Sequence, residues 1–434
     1  MQRITVILGA GAMIEATGVS TWDISKRIFN KGTVSDDKEG IVSLKRKICK
    51  KIYEMQSHNR YEGKWNSSKI ADVVNFEEYF NVLELLYSYI TNKNSTYVAK
   101  EYLSPHLVFT DLNVEFENMA NQNNKAFDSL GYIVRMLLKE VVLEINEIVY
   151  AYNKEFASKG NKYKKFFNTI EKELNCRFDI FNLNYDTWPQ FALPNYNDGY
   201  VDEPGYESFM RFRPEVYLKD DDRNRVSNLH GQIFFEEPNY DPKDINRHAY
   251  DEPRSVLYKY KNFNEVQKYR KNIGRSGHLT QQREDLHPAN IITGLMKADK
   301  LLQNPFDVYQ MELFNCLLHN RKLIIIGYGF GDYYLNSMLN TYLQVHLDDK
   351  KVLVIDKKTE EKWNNYRYGL TQPSLSESAM ITFLARAFKE DGWRYRRKYA
   401  EFMYSSNKDS CYSVVGFAKA ASKKRLSIVT SFLK

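Results

Sequence analysis

The sequence predicts an α/β protein built on a Rossmann-like parallel sheet with a large helical insertion or cap, and three observations carry that prediction. Five short apolar, β-rich runs recur along the 434 residues: Ile4–Leu8, Phe178–Leu183, Val226–Phe235, Lys322–Ile326 and Val352–Ile355. Long stretches with helical spacing separate them, the alternation that a parallel sheet requires. The first and fourth runs stop at glycines, Gly9 and Gly327, as a strand buried on both faces does when it hands over to a tight turn.

Each element has its own local justification. Residues 25–175 separate the first two runs, far more than one crossover helix needs, and are expected to form a mainly helical insertion. Within it Asn75-Phe76-Glu77-Glu78 has capping-box spacing, and Phe76, Phe80, Leu83 and Leu86 follow as a helical stripe. A second helix is predicted from Asp128 to about Tyr152, where Leu130, Val134, Leu137, Leu138, Val141, Ile145 and Ile148 recur every three or four residues. Such stripes are expected to face a core or an oligomer contact. Residues 236–290, polar and broken by Pro238, Pro242, Pro253, Gly274, Gly277 and Pro288, read as a loop-rich insertion. The nucleotide-binding body is thus expected to span residues 1–356, with residues 357–434 as a basic C-terminal extension.

Composition narrows the class. With 43% hydrophobic and 27% charged residues, the chain is globular and long enough for a sizeable core. The apolar stretch before Gly9 is too short for a signal peptide. No run approaches the roughly 18 apolar residues of a membrane helix, so a cytoplasmic protein with no membrane contact is expected. Cys49, Cys176, Cys316 and Cys411 stand singly, with no CxxC pair, so neither zinc nor any other metal is expected. The net charge of +7 sits in the tail, where Arg386 to Lys434 holds 12 Lys/Arg against 4 Asp/Glu. Trp393-Arg-Tyr-Arg-Arg-Lys-Tyr399 and Lys423-Lys-Arg425 interleave basic residues with aromatics. That pattern can bind nucleic acid, although a solvated helix face or a protein contact suits so short a stretch better.

Four groups of residues carry candidate chemistry. Gly9-Ala10-Gly11-Ala12 forms a turn whose glycines let backbone approach a pyrophosphate, with a helix start just beyond; Ile14 stands where a third glycine is usual. Asn184-Tyr185-Asp186 ends a strand, where an Asn amide can hold a ribose hydroxyl, a carboxamide or an attacking water, and Asp186 can bond the same sugar; both also favour plain turns. His230, beside Gly231, can take a proton at neutral pH. Finally Gly327-Tyr328-Gly329-Phe330-Gly331-Asp332, with Asn336 beyond it, brings backbone close to a nucleotide; Asp332 suits the N-cap of the next helix, and strand-terminal Asp356 can accept from adenosine ribose hydroxyls.

In this order the four groups resemble the motifs of sirtuin-like NAD hydrolases of bacterial anti-phage defence systems. Phe76-Glu77, Ile292-Thr293-Gly294 and Pro305-Phe306 are similar to the same branch. The resemblance covers residues 1–356 and implies NAD as substrate, with Asn184 and His230 as the catalytic pair. It further implies depletion of cellular NAD on infection; because an unrestrained NAD hydrolase would harm its host, work as a homo-oligomer or control by a partner, such as the HerA-type ATPase that accompanies related proteins, is expected. Met13 stands where that family commonly has a serine, and the four-cysteine zinc module of protein-deacylating sirtuins is missing. Two other function classes stay open: an NAD-dependent protein deacylase or transferase, and a non-catalytic NAD or ADP-ribose sensor.

Overall fold

Apolar runs buried on both faces demand a central sheet, and the fold supplies one. The computed structural model describes residues 1–30, 45, 48–50, 52, 74–91, 126–219, 221–236, 257–266, 291–293, 301, 304–357, 374–389 and 401–434. Its strands are β1 (Gln2–Leu8), β2 (Cys176–Asn182), β3 (Tyr196–Asn197), β4 (Tyr200–Glu203), β5 (Tyr206–Phe212), β6 (Asn224–Asn228), β7 (Phe235–Glu236), β8 (Tyr258–Tyr260), β9 (Lys322–Ile326), β10 (Lys351–Ile355), β11 (Phe402–Tyr404) and β12 (Ser410–Ser413). Eight of them form one sheet in the order β11-β12-β10-β9-β1-β2-β6-β3, and β4-β5-β8-β7 form a second. All neighbours in the large sheet are parallel except β11, which runs antiparallel to β12.

From β1 the sheet grows both ways, through β2 and β6 on one side and through β9, β10 and β12 on the other. This is the doubly wound, Rossmann-like order, and its topological switch point falls between β1 and β9. Leu8, Asn182, Asn228, Ile326, Ile355 and Ser413 are register neighbours, so the six parallel strands end in one row. The ladder continues one residue further: Leu183 N–H donates to Leu8 O, Leu229 to Asn182, Gly9 to Ile326, Gly327 to Ile355 and Asp356 to Ser413, at 2.8–2.9 Å. The segments that carry the candidate site residues therefore all leave the sheet at the same end.

The principal helices are α1 (Gly11–Thr17), α2 (Thr21–Asn30), α3 (Phe76–Thr91), α4 (Ala126–Asn153), α5 (Asn161–Leu174), α6 (Trp188–Ala192), α7 (Phe306–His319), α8 (Tyr333–Val345), α9 (Leu375–Phe388), α10 (Phe417–Ala420) and α11 (Lys423–Leu433). The chain divides into two compact units: Met1–Ser20, Val149–Ile291 and Leu301–Lys434 make the first, Thr21–Ile148 and Ile292–Lys300 the second. The second unit is built from α2, α3 and most of α4. Phe76, Phe80, Leu83, Leu86, Val134, Leu137, Leu138, Val141 and Ile145 are buried there. Asn75 Oδ1 accepts from Glu77 N–H at 3.1 Å, and Phe76 N–H donates to Ser25 Oγ at 2.9 Å, so the start of α3 is capped from two sides. Lys45 Nζ sits 2.7 Å from both Ile28 O and Glu140 Oε1.

Two sequence expectations need correction. Val226–Phe235 is not one strand: β6 ends at Asn228, Gly231 turns the chain at φ 91°, and Phe235 joins the second sheet as part of β7. His230 therefore lies in a turn two residues past β6. Residues 357–434 are also more than an extension, because β12 pairs with β10 inside the large sheet. Its sequence, Ser410-Cys-Tyr-Ser413, has no apolar run to betray a strand. Most of 236–290, including all its punctuating Pro and Gly, and the stretch Trp393–Tyr399 lie outside the described residues. Among the described residues no helix is long and apolar enough to cross a membrane.

Candidate functional site

At the switch point the two glycine turns lock into each other. Gly9 N–H donates to Ile326 O and Gly11 N–H to Gly327 O, both at 2.9 Å. A Cβ on Gly9 would lie 2.5 Å from both Gly327 O and Tyr328 Cα, and one on Gly327, whose φ is 60°, would overlap Ala12 N. Glycine at 9, 11 and 327 thus lets two backbones touch, a role that close approach to a ligand did not anticipate. Ala12 and Met13 are buried beneath the turn, while Ala10 is exposed at the head of α1. Gly329 and Gly331 differ: a Cβ there would meet nothing within 4 Å.

The rest of the second loop holds its own shape. The Tyr328 hydroxyl lies 2.9 Å from Asn336 Oδ1 and 3.1 Å from Asp332 O, and accepts from Asp332 N–H at 3.3 Å. Asn336 Nδ2 donates to Phe330 O at 2.9 Å, so both ends of that amide are spent on the loop. Phe330 takes the left-handed φ of 56° and packs on Tyr328 and Phe383. Asp332 caps α8 as expected, its Oδ1 accepting from Leu335 N–H at 3.1 Å. Asp356 directly follows β10, with its carbonyl bonded by Gly416 N–H and its Oδ1 by Lys357 N–H.

The Asn/Asp group and the histidine meet these turns. Asn184, 9% exposed, donates from Nδ2 to Gly9 O at 3.2 Å, while its N–H donates to Asn182 Oδ1 at 3.1 Å. His230 Nε2 lies 3.4 Å from Asp332 Oδ2, each side chain 16% exposed. Asn184 is thereby tied to the first glycine turn, and His230 to the second. Asp186 is fully buried; Oδ1 accepts from Trp188 N–H at 2.9 Å and Oδ2 has no hydrogen-bond partner. Burial pushes its carboxyl up to about 7, against the lowering effect of the Trp188 N–H. Burial likewise raises the Tyr152 and Tyr163 hydroxyls, and the Asp186 charge adds to it.

Two residues that the sequence did not single out organise the site from beneath. Asn182 and Asn228 are register partners at the ends of β2 and β6. Both donate Nδ2 to Asp186 O at 3.1 Å. Asn228 Oδ1 also accepts from Gln190 Nε2 at 2.8 Å and Gln232 Nε2 at 3.2 Å. The signal was present as a repeated pattern, Asn182-Leu-Asn184 and Asn228-Leu-His230, which places one clamp residue and one site residue at each strand end.

All four cysteines are buried and unbridged. Among the described residues no group of three or more His, Cys, Asp or Glu side chains comes together that could hold a metal ion. The site is thus an arrangement of one imidazole, one carboxamide, acidic side chains and glycine-rich backbone at the ligand-binding edge of a doubly wound sheet. The chain matches no family model and no curated protein.

Proposed function

We propose that the protein cleaves the nicotinamide–ribose bond of NAD, with Asn184 and His230 as the catalytic pair. The observation that carries this reading is the meeting of the motifs at the switch point: Asn184 bonds Gly9 O, and His230 pairs with Asp332 of the second glycine loop. Open parallel sheets take nucleotides at that place. The residues fit a dinucleotide in one further respect, since backbone at Gly329 and Gly331 opens onto free space. Ala10, Gly329, Gly331 and Asp356 are the residues that would hold it.

The chemistry asks little of acid catalysis. The leaving group is already a cationic pyridinium, so the bond breaks toward an oxocarbenium-like state as other glycosidic bonds do. NAD and water give nicotinamide, ADP-ribose and one proton. Asn184 positions the water or a ribose hydroxyl through its carboxamide, and His230 accepts the proton. A role in NAD-depleting defence, a homo-oligomer and a HerA-type partner belong to the same proposal and rest on the sirtuin-like resemblance of the motifs.

The test is incubation of the purified chain with NAD, alone and with the product of the neighbouring gene, followed by chromatography. Nicotinamide and ADP-ribose are expected in equal amounts, with neither formed by folded His230→Ala or Asn184→Ala. NAD binding without cleavage under both conditions would replace this reading with that of a sensor.

A further inference from the structure

We infer that Asp332 is the positioning residue of His230, its carboxylate fixing the imidazole across two strand-end loops; its catalytic consequence rests on the NAD cleavage proposed above. The two carboxylate oxygens have separate tasks. Oδ1 accepts from Leu335 N–H at 3.1 Å and closes the first turn of α8, while Oδ2 lies 3.4 Å from His230 Nε2. A cap needs only the first, and Ser, Thr or Asn would provide it as well as Asp. The second oxygen and the negative charge are surplus to the helix and are directed at the histidine.

Both partners stand on rigid backbone. Asp332 N–H donates to the Tyr328 hydroxyl, its carbonyl accepts from Asn336 N–H at 2.9 Å, and Asn336 braces Phe330 O. On the other side Leu229 N–H is bonded to Asn182 O and Gly231 N–H to Asn228 O. Those bonds fix the backbone on either side of His230. In the neutral ring a proton on Nε2, aimed at a carboxylate, places the lone pair on Nδ1; once that nitrogen takes a proton, the nearby charge stabilises the imidazolium. Among the described residues, Asp186 accepts from Trp188 N–H in the interior, and the Tyr328 hydroxyl is bonded to Asp332 backbone and Asn336.

Asp332→Asn in the full chain separates the two tasks, because Asn caps as well as Asp but carries no charge. Asp332→Ser, another cap, repeats the test should the first variant fold poorly. By proton NMR of the histidine ring, assigned with His230→Ala, the titration midpoint of His230 is expected to fall by about one unit in the variant. Under saturating NAD, kcat is expected to fall about tenfold or more, with KM changed less than about threefold. An unchanged midpoint overturns the pairing whatever the activity. A lowered midpoint with unchanged kcat overturns the positioning role. If the unmodified chain never cleaves NAD, the functional proposal fails on its own, and the midpoint still decides whether Asp332 holds the ring.

Discussion

The side-chain amide of Asn184 donates to the carbonyl of Gly9 at 3.2 Å, joining residues 175 positions apart in the chain. Through this bond the turn after β2 is tied to the turn after β1, and the only carboxamide placed at the switch point by the Asn-Tyr-Asp motif has its NH2 group oriented. An acceptor faces Nδ2, so a donor is required. Asn184→Asp, which keeps the shape but sets a carboxylate against a carbonyl, should cost about 1–3 kcal/mol in urea unfolding, and Asn184→Ala should cost less. An aspartate variant as stable as the parent would show that this bond does not hold the turn.

Glycine 327 makes the sharper stability test. Its φ of 60° and the overlap that a Cβ would make with Ala12 N bring two penalties together. Gly327→Ala should lose more than the roughly 1–2 kcal/mol of left-handed backbone alone, because Gly11 and Ala12 must also shift. Gly329→Ala, where a Cβ meets nothing within 4 Å, should stay within about 0.5 kcal/mol of the parent. Equal unfolding midpoints for the two variants would remove the packing role assigned to Gly327.

How much was legible beforehand follows from what kind of signal each feature leaves. The β1, β9 and β10 strands announce themselves because burial on both faces demands runs of apolar residues such as Val6–Leu8 and Leu323–Ile326. The cap at Asp332 was legible because capping is local. β12 was hidden, since Ser410 is buried through hydrogen bonding rather than apolarity; its Oγ donates to Ala387 O at 2.7 Å. The inward use of Gly9, Gly11, Tyr328 and Asn336 was hidden for another reason. Each is satisfied by a partner outside its own motif or by loop geometry, and neither is visible in spacing. Pairing of His230 with Asp332 joins residues about a hundred positions apart, and no periodicity encodes it.

Asp186 should make stability fall as pH rises. Its folded carboxyl is raised to about 7 by burial, whereas an unfolded aspartate titrates near 3.9. The folded chain therefore holds the extra proton between those values. The stabilising contribution is complete below about pH 4 and is lost as pH rises through about 7. Asp186→Asn, which can still accept from Trp188 N–H, removes that dependence. Relative to the parent, the variant should gain stability steadily between pH 4 and pH 8 in urea titrations. A stability difference independent of pH over that window would mean that the buried carboxyl stays ionised in the fold.

Asn228 is the hub under the site, and its loss should propagate. Asn228→Ala strands Gln190 Nε2 and Gln232 Nε2 and leaves Asp186 O with one donor fewer, in surroundings where all four residues are at most 4% exposed. Each unsatisfied buried group costs about 1–3 kcal/mol, although water entering the cavity makes the sum less than additive. A loss of about 3 kcal/mol in denaturant unfolding is expected. Asn228→Asp keeps the acceptor for both glutamines and should recover part of it. If both variants unfold at the parent's midpoint, the clamp between β2 and β6 is dispensable.

Deleting residues 401–434 should abolish folding of the first unit, because the segment is structural before it is basic. β12 occupies the outer side of β10 over Val352–Ile355, and its removal would leave a flat apolar strand edge exposed. The deletion also strips Ala418 N–H from Glu15 Oε2, a 2.7 Å bond that ties α10 to α1, and Asp409 from its buried partner Lys350 at 3.0 Å. Of the charges in Lys423-Lys-Arg425, Arg425 is already paired with Glu401, while Lys423 and Lys424 are exposed. The two lysines are thus the part of this cluster that can be changed without touching the sheet. Lys423→Ser with Lys424→Ser should leave the unfolding midpoint within about 0.5 kcal/mol of the parent, whereas the 401–434 deletion should be recovered as aggregate. A soluble deletion with native circular dichroism would return these residues to the status of an appendage.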